Sequence, residues 1–246
     1  MDQRLAGRVV IVSGGTRGMG EAVVRGIIRH GGKAAFGGRD EAAGRKIAQD
    51  LGGNALFVPQ DVSLAADWDN IVAQTLARFG HVSGLVNNAG YSVSAPIAQV
   101  TDAQIHQIIG VNQIGVLLGM RAVLAAMSAN GSGSIVNIAS AAGVKAHPGV
   151  NAYAGAKAAV IGMSRSAAVE LAPRNIRVNA IIPGFFATRL LDESSHGSGR
   201  ERGARVTPLR RTAAPEEMVG PVVFLLSDES SFVTGAQLAV DGGYTA

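Results

Sequence analysis

The chain alternates between short apolar runs and longer stretches in which apolar residues recur every three or four positions. The runs cover residues 9–12, 33–37, 55–58, 84–86, 134–138, 177–182 and 237–240; the periodic stretches cover 21–30, 40–51, 65–79, 102–129, 152–171 and 215–226. Short runs rich in β-branched residues are typical of strands buried on both faces of a parallel sheet. The alternation predicts an α/β fold: a doubly wound parallel sheet of about seven strands with helices on both faces.

Length and composition suit one domain without a metal centre. The chain has 246 residues and 47% hydrophobic content, and no Pro-, Gly- or Ser-rich linker divides residues 1–246. The absence of cysteine excludes disulfides, thiolate catalysis and cysteine-ligated metals, and it fits a reducing cytoplasm. The five histidines, at positions 30, 81, 106, 147 and 196, show no metal-ligand spacing. We therefore expect no catalytic metal.

Hydropathy and charge narrow the range of partners. Residues 1–8 lead almost directly into the first strand without the apolar segment of a signal peptide, and we expect no run of membrane-spanning length. The formal net charge is +4, but the arginines are spread out rather than interleaved with aromatic residues as on a nucleic-acid-binding face. We expect a soluble, cytoplasmic protein that binds neither membrane nor nucleic acid, with anionic small molecules still open as ligands.

A glycine-rich turn joins the first strand to the first helix. The segment Ser13-Gly-Gly-Thr-Arg-Gly-Met-Gly20 follows the run 9–12 directly. Gly14, Gly18 and Gly20 allow a tight turn and let the backbone approach a pyrophosphate, which a helix N-terminus attracts. A tight strand-to-helix turn also needs glycine without any ligand, so the motif alone leaves both interpretations open.

Two arginines bear on the choice of cofactor. The second strand ends at Gly38-Arg39, where an acidic residue would bind the ribose hydroxyls of NAD(H), and no acidic residue stands there. Arg17 lies inside the glycine turn, so two guanidinium groups could converge on a 2′-phosphate. The alternative is that both are solvated surface residues. The pattern favours NADP(H), with NAD(H) as the alternative.

Polar residues follow the next strands and interrupt the longest helix. Asp61 and the segment 87–90 stand where ligands bind in doubly wound sheets, beyond the carboxyl ends of the strands. Turn chemistry alone would also explain the asparagines. Asn112 lies between glycines within 102–129, and since asparagine is a poor interior helix residue, we expect an irregular turn with a polar side chain available there.

A hydroxyl, a phenol and an amine form the candidate proton-transfer site. Tyr153 and Lys157 are four residues apart on the predicted helix 152–171 and therefore share one face. A neighbouring ammonium lowers the pKa of a phenol, which would make Tyr153 a general acid for a ketone or a base for an alcohol. Ser140, after the run 134–138, could hold the carbonyl oxygen against Tyr153. The plainer interpretation is a strand-end serine and two surface helix residues.

Six motifs in one order resemble the classical short-chain dehydrogenase/reductase family over nearly the whole chain. They are Gly14-x-x-x-Gly18-x-Gly20, Asn87-Asn-Ala-Gly90, Asn112, Ser140, Tyr153-x-x-x-Lys157 and Pro183-Gly184. The resemblance implies a Rossmann-type fold, hydride transfer between a nicotinamide cofactor and a ketone or secondary alcohol, and a homotetramer built partly on the long helices.

The resemblance also implies a role for each residue. Tyr153 would be the proton donor or acceptor, Lys157 would bind the nicotinamide ribose and lower the tyrosine pKa, Ser140 would position the carbonyl, and Asn112 would hold a proton-relay water. Thr188 would contact the carboxamide, and Asp61 would lie near the adenine. The full set of expected cofactor-binding residues is Gly14, Thr16, Arg17, Gly18, Met19, Gly20, Arg39, Asp61, Val62, Asn88, Ala89, Gly90, Tyr153, Lys157, Pro183, Gly184 and Thr188.

Some positions depart from the commonest family pattern. Ser13 replaces a threonine, Ala139 stands where a second serine is frequent, and Gly155-Ala156 replaces larger or hydroxylated residues. Gly155 either costs the helix roughly 1 kcal/mol relative to alanine or permits close packing against another helix or subunit.

Residues 189–211 are polar and resemble the family's substrate lid, which we expect to be mobile. Their arginines (200, 202, 205, 210 and 211) could attract an acidic substrate or a cofactor phosphate, or could be a solvated cluster. Phe185, Phe186, Leu190 and Leu191 favour an apolar substrate wall and hence a bulky apolar alcohol, such as a steroid or other cyclic alcohol. A 3-oxoacyl thioester reductase stays open, and a nicotinamide-binding sensor without turnover is a third hypothesis.

Overall fold

The computed structural model describes residues 3–195 and 197–246, so that Met1, Asp2 and His196 lie outside the described residues. Seven parallel strands form one sheet in the order β3-β2-β1-β4-β5-β6-β7. The strands are β1 (Val9–Val12), β2 (Lys33–Gly38), β3 (Ala55–Pro59), β4 (Gly84–Asn87), β5 (Gly133–Ile138), β6 (Ile176–Pro183) and β7 (Gln237–Val240). The predicted doubly wound sheet is confirmed, and each strand lies within two residues of its predicted bounds.

Helices cover both faces of the sheet because its central strands are apolar on both sides. Val10 and Val12 pack with α1 (Gly18–Arg29), α2 (Glu41–Leu51) and α9 (Val219–Leu226) on one face. Ile11 packs with α3 (Ala65–Phe79), α5 (Gly115–Ala129) and α6 (Asn151–Leu171) on the other. Burying apolar surface on both faces contributes about 25 cal/mol per Å², which fixes the sheet between two helix layers. All seven strands therefore end at the same edge, where the polar segments predicted as ligand-binding follow them.

The predicted helix 102–129 contains the irregular turn that its asparagine and glycines indicate. It consists of α4 (Asp102–Ile109), a π-helical turn (Gly110–Ile114) and α5. Contrary to expectation, this run of 28 residues is long and apolar enough to cross a membrane by length and composition. A core helix passes the same test, and α5 buries Val116, Val123 and Met127 against the sheet.

Residues 189–211 contain two short helices that the sequence pattern did not predict. These are α7 (Arg189–Ser194) and α8 (Gly199–Val206). Gly203 of α8 packs on Phe185, since a Cβ at this position would lie 2.7 Å from the Phe185 Cβ. The segment thereby covers the end of β6, beside the edge at which the strands end.

Candidate active site

The glycine turn after β1 is closed by backbone contacts that exclude side chains. Gly14 has φ +64°, and a Cβ there would lie 2.8 Å from the Ala89 Cα. A Cβ on Gly20 would lie 2.0 Å from the Gly14 carbonyl oxygen. Packing alone therefore requires glycine at both positions. The turn also brings the backbone to the start of α1, where free amide groups favour an anion.

Ser13 links the turn to the segment that follows β4. Its Oγ accepts hydrogen bonds from the backbone amides of Asn88 and Ala89, both at 3.1 Å. The Asn88 side-chain amide donates to the carbonyl oxygens of Ser13 and Gly14 at 3.1 and 3.0 Å. Ser13 therefore makes these contacts where a threonine is commoner in the family. The Asn88 side chain stabilises the turn, which is one of the two roles that the sequence left open for the asparagines.

A cavity of about 380 Å³, here called the glycine-loop cavity, opens beside this turn. It brings together most of the residues expected to bind a cofactor. Its lining includes Gly14, Thr16, Arg17, Gly18, Met19, Gly20, Arg39, Asp61, Val62, Asn88, Ala89, Gly90 and Thr188. These residues come from five separate segments, and the rule that ligands bind beyond the carboxyl ends of parallel strands explains why they lie together.

The charged residues that line the glycine-loop cavity differ in their partners. Arg17 and Arg39 are exposed and, within the part of the chain that the structure describes, make no ion pair. Asp61 accepts from the Ser63 hydroxyl at 2.6 Å and from its amide at 3.0 Å, which lowers the pKa of this carboxyl, with a smaller contribution from the Arg39 charge. The two guanidinium groups thus keep their donors available at this end.

Gln60, which the sequence analysis missed, lies in the wall of the same cavity. It is 4% exposed, and neither its amide nitrogen nor its amide oxygen has a hydrogen-bond partner among the described residues. Buried amides without partners are rare in native proteins because they lose their water without compensation. A purine base, which offers both donors and acceptors, would satisfy this side chain. Glutamine after a strand carries no motif, so sequence offered no signal for it.

A second cavity of about 400 Å³, here called the Tyr153 cavity, adjoins the first. Its lining includes Ser140, Tyr153, Lys157, Pro183 and Gly184. Five residues line both cavities: Met19, Asn88, Gly90, Thr188 and Leu190. The candidate proton-transfer residues therefore lie in a pocket that shares a wall with the candidate cofactor groove.

The three candidate catalytic side chains meet between β5 and α6. Ser140 follows β5, and its hydroxyl is near enough to the Tyr153 hydroxyl to lower the pKa of that phenol. One turn further along α6, the Lys157 ammonium donates to the Ile138 carbonyl oxygen at 2.8 Å and lies 5.8 Å from the centre of the Tyr153 ring. Lys157 is 3% exposed, and this burial lowers the pKa of its ammonium to about 8.

The expectation that Lys157 lowers the pKa of Tyr153 stays a prediction, because Lys157 is not among the groups that shift the pKa of this phenol in the structure. Burial raises the pKa of the Tyr153 phenol, and the Ser140 hydroxyl opposes this by a smaller amount. Removing a phenol from water disfavours its charged form. The spacing of four residues indicates that the Lys157 charge is near Tyr153. Burial, which has the largest effect on the pKa of Tyr153, depends on the whole fold and cannot be predicted from that spacing.

Asn112 lies in the π-helical turn and is fully buried. Its amide nitrogen donates to the carbonyl oxygens of Tyr91 at 2.7 Å and Ile108 at 2.9 Å, and its amide oxygen accepts from the Tyr91 amide at 3.2 Å. The side chain thus ties the segment after β4 to the long helix. Asn112 lines neither of the two cavities. The polar side chain that we expected to be available is instead hydrogen-bonded to backbone groups.

The predicted apolar wall is present in the Tyr153 cavity, together with a polar cluster that the sequence did not reveal. Phe185, Phe186, Leu190 and Leu191 all line it. His147, Arg202 and Tyr244 line it as well. His147 and Tyr244 are separated by 97 residues, so no local motif could have indicated their contact.

The arginines of residues 189–211 are mostly bonded to neighbouring protein groups, and one of them lines the Tyr153 cavity. Arg200 pairs with Asp192 at 2.6 and 2.8 Å, and Arg211 pairs with Glu217 at 2.6 and 2.7 Å. Arg210 donates to the carbonyl oxygen of Arg205 at 3.1 Å. Of the five arginines, Arg202 is the one in the lining of the Tyr153 cavity. Neighbouring protein groups thus engage most of this cluster.

Comparisons with known proteins agree with this architecture. A sequence profile of the family described as Enoyl-(Acyl carrier protein) reductase matches residues 14–245. The 3-alpha-(or 20-beta)-hydroxysteroid dehydrogenase of Mycobacterium bovis is 40% identical over 246 residues, covering 100% of this chain and 92% of that relative. The NADP-dependent (R)-specific alcohol dehydrogenase of Lentilactobacillus kefiri is 38% identical over 251 residues, covering 100% of both chains.

A solved structure also matches along almost the whole chain. The 3-ketoacyl-(acyl-carrier-protein) reductase from Brucella melitensis, complexed with NADH, superimposes with a TM-score of 0.94 at 32% identity, covering 98% of this chain and 99% of that chain. The motifs, the sheet order and these relatives lead to one conclusion. The chain belongs to the short-chain dehydrogenase/reductase family and is an oxidoreductase acting on alcohols and ketones.

Proposed function

We propose that the protein interconverts a ketone and a secondary alcohol with NADP(H), using Tyr153 as the general acid and base. The observation that carries this proposal is the shared wall between the Tyr153 cavity and the glycine-loop cavity. A substrate carbonyl beside Ser140 and Tyr153 would thereby face a cofactor held along the glycine turn. The nicotinamide ring supplies the hydride when the cofactor is bound.

Ser140 and Tyr153 supply the proton chemistry at the substrate oxygen. Two hydroxyl groups that line the same cavity side by side can both turn toward a carbonyl oxygen and stabilise the negative charge that develops on it. Because burial raises its pKa, Tyr153 stays protonated at neutral pH and donates its proton when a ketone is reduced. The Lys157 ammonium has three N–H donors, and one of them goes to the Ile138 carbonyl oxygen. The other two would bind the nicotinamide ribose.

The described residues fit a nicotinamide dinucleotide. Gln60 offers an unsatisfied buried amide at the adenine end, and the start of α1 offers backbone amides for the pyrophosphate. Arg17 and Arg39 without ion pairs support NADP(H), as does similarity to an NADP-dependent alcohol dehydrogenase. The Brucella melitensis reductase complexed with NADH keeps NAD(H) as the alternative.

The lining of the Tyr153 cavity supports a choice of substrate class. Phe185, Phe186, Leu190 and Leu191 support a bulky, largely apolar alcohol, and the hydroxysteroid dehydrogenase relative supports the same class. A 3-oxoacyl thioester is the second candidate, favoured by the similarity to a 3-ketoacyl-(acyl-carrier-protein) reductase. Residues 189–211, where α7 and α8 cover the cavity, would form the substrate lid. We further propose a cytoplasmic homotetramer.

The decisive experiment measures consumption of NADPH and, separately, NADH against ketosteroids, small cyclic ketones and 3-oxoacyl thioesters. We expect one ketone class to be reduced, with NADPH preferred. Tyr153→Phe should still bind the cofactor and should lower kcat by about 10²–10⁴-fold, the usual contribution of a general acid. Tyr91→Phe is the matched control, because Tyr91 meets Asn112 only through its backbone atoms.

Full turnover by Tyr153→Phe would remove Tyr153 from the mechanism. Cofactor binding without reduction of any ketone would instead favour the sensor hypothesis. Direct calorimetric titration with NADPH separates these two outcomes, since it reports binding in the absence of turnover.

A further inference from the structure

Three side chains from distant segments meet in the wall of the Tyr153 cavity. His147 lies between β5 and α6, Arg202 lies on α8, and Tyr244 lies in the turn after β7. The Tyr244 hydroxyl is 2.6 Å from His147 Nε2, and an Arg202 terminal nitrogen is 3.1 Å from His147 Nδ1. None of the three is needed for the proton transfer proposed above, so the cluster calls for a separate explanation.

The donors in this cluster fix where the hydrogens are. A guanidinium can only donate, so His147 Nδ1 must accept and its proton must lie on Nε2. Nε2 then donates to the Tyr244 oxygen, which leaves the Tyr244 hydroxyl hydrogen for another acceptor. Burial and the charges of Arg202 and Lys145 lower the pKa of His147, which keeps the ring neutral as this arrangement requires.

Packing holds the Tyr244 hydroxyl in place. The His147 and Tyr244 rings stack with their centroids 5.7 Å apart, and Phe185 meets Tyr244 edge to face at 5.2 Å. The Lys145 ammonium donates to the Tyr244 carbonyl oxygen at 2.7 Å and lies 4.5 Å from its ring centre. Tyr244 itself is 8% exposed. A rigid donor in the cavity wall costs little entropy when it binds a ligand.

The cluster also carries positive charge that nearby carboxylates do not neutralise. Asp192, at the start of the same lid segment, is paired with Arg200. Asp241, three residues before Tyr244, accepts from the Gly243 amide and from the amide and hydroxyl of Thr245. Within the described part of the chain, Arg202 makes no ion pair, and most of its five N–H groups stay available at the cavity mouth.

We propose that Arg202 and the Tyr244 hydroxyl, oriented by His147, form a subsite that binds a carboxylate carried by the substrate away from its reacting carbon. An acidic ketone would place its apolar body against Phe185 and Leu191 and its carboxylate at the cavity mouth. Guanidinium and phenol donors suit a carboxylate because both of its oxygens accept hydrogen bonds. This inference rests on the proposed ketone and alcohol chemistry and narrows its substrate to acids.

The test compares acidic ketones with their neutral methyl esters. The probes are 3-oxocyclohexanecarboxylate, 4-oxocyclohexanecarboxylate and 4-acetylbenzoate, which differ in the separation of ketone and carboxylate. We expect the wild-type enzyme to prefer at least one acid over its ester by about tenfold or more in kcat/KM, because hydrogen bonds to a charged group contribute this much. The preference should come mainly from KM.

Two variants and one control identify the residues responsible. Arg202→Gln and Tyr244→Phe should each reduce the ratio of acid to ester kcat/KM, Arg202→Gln by about tenfold or more and Tyr244→Phe by less. Arg200→Gln removes the same charge from the same helix, but Arg200 is paired with Asp192, so it should keep the wild-type ratio. Equal loss in Arg200→Gln and Arg202→Gln would overturn the assignment, since it would reflect only the net charge of α8.

A binding measurement separates this inference from the proposed function. Calorimetric titration of the protein, saturated with NADPH, should show benzoate binding more tightly than benzamide, with the difference lost in Arg202→Gln. If neutral ketones are reduced but no acid is preferred over its ester, the carboxylate subsite is refuted and the function stands. If no ketone is reduced yet benzoate binds through Arg202, the subsite stands and the function is refuted.

Discussion

Lys157 illustrates how one residue's surroundings set its charge. It is enclosed between β5 and α6, and its ammonium donates to a neutral carbonyl oxygen, that of Ile138. Burial lowers the pKa of the ammonium to about 8. In the unfolded chain a lysine has a pKa of about 10.4, so between these two values the unfolded state binds more protons than the folded state. Stability from this group must therefore rise as pH increases through that window.

We predict that the free energy of unfolding of wild type, relative to Lys157→Met, increases between pH 7 and pH 10.5 by about 1–3 kcal/mol. At pH 7 the lysine is charged in both states, and the full cost of burying the charge is present. Near pH 10.5 most of that cost is gone. Urea denaturation of both proteins at the two pH values measures the change. A constant difference would show that Lys157 keeps an ordinary pKa.

Arg39 carries the prediction on cofactor choice. Arg39→Gln should raise the Kd for NADPH by about 10–100-fold, as expected from losing a charge-assisted hydrogen bond, and change the Kd for NADH little. Arg45→Gln is the matched control, because Arg45 lies on the adjacent helix α2 and pairs with Glu41. Fluorescence titration of wild type and both variants with NADPH and with NADH gives the six dissociation constants. Equal weakening of NADPH and NADH would show that Arg39 does not contact a 2′-phosphate.

Helix α6 holds the two tyrosine-site residues and also contains glycines that no packing requires. A Cβ at Gly155 or Gly162 would meet no atom of the described residues within 4 Å. The alternative that Gly155 permits close packing therefore applies only to another subunit. Within a single chain, Gly155 only destabilises the helix relative to alanine, because glycine loses more backbone entropy on folding.

We predict that Gly155→Ala stabilises the protein by about 0.5–1 kcal/mol, the difference in helix propensity. Gly162→Ala, on the same helix and equally open, should give the same gain. Urea denaturation gives both values. If Gly162→Ala stabilises while Gly155→Ala destabilises, a second subunit packs closely against Gly155.

At this scale the sequence predicted the elements long enough to show a period. The strands and the six predicted helical stretches follow from apolar periodicity, with shifts at their ends. Helix α1 begins at Gly18, where the pattern indicated residue 21, and α9 begins at Val219, after a 3-10 turn, where it indicated residue 215. Helices α7 and α8 are short and mostly polar, so they carry too few apolar residues to show a period. Most of the lining of the glycine-loop cavity was predictable, because its residues directly follow parallel strands and therefore lie at one edge of the sheet. Gln60 was the exception. The Arg202, His147 and Tyr244 cluster was not predictable, since its members meet only through long-range folding.

For the whole molecule, the surface of the long helices supports the proposed tetramer. Leu117 on α5 and Val169 on α6 are 52% and 80% exposed. Single exposed apolar residues are common, but here they lie on the two helices through which the family resemblance implies assembly. Burying such side chains between subunits would contribute favourably to association.

We predict a mass of about 100 kDa by light scattering, four times the 25.1 kDa of one chain. Leu117→Glu should lower this mass, because a carboxylate buried in a subunit interface is unfavourable. Ile97→Glu, a substitution at an exposed apolar residue outside these helices, should leave the mass unchanged. A wild-type mass near 25 kDa would contradict the tetramer.

The wall shared by the two cavities has a thermodynamic consequence. Thr188 lines both cavities and also caps the N-terminus of α7, where its hydroxyl accepts from the Leu191 amide. Any molecule in one cavity becomes part of the boundary of the other. The free energy of contact between two such molecules is a single quantity, and it enters both of their dissociation constants by the same factor. How tightly the protein holds its cofactor is therefore also a property of the substrate beside it.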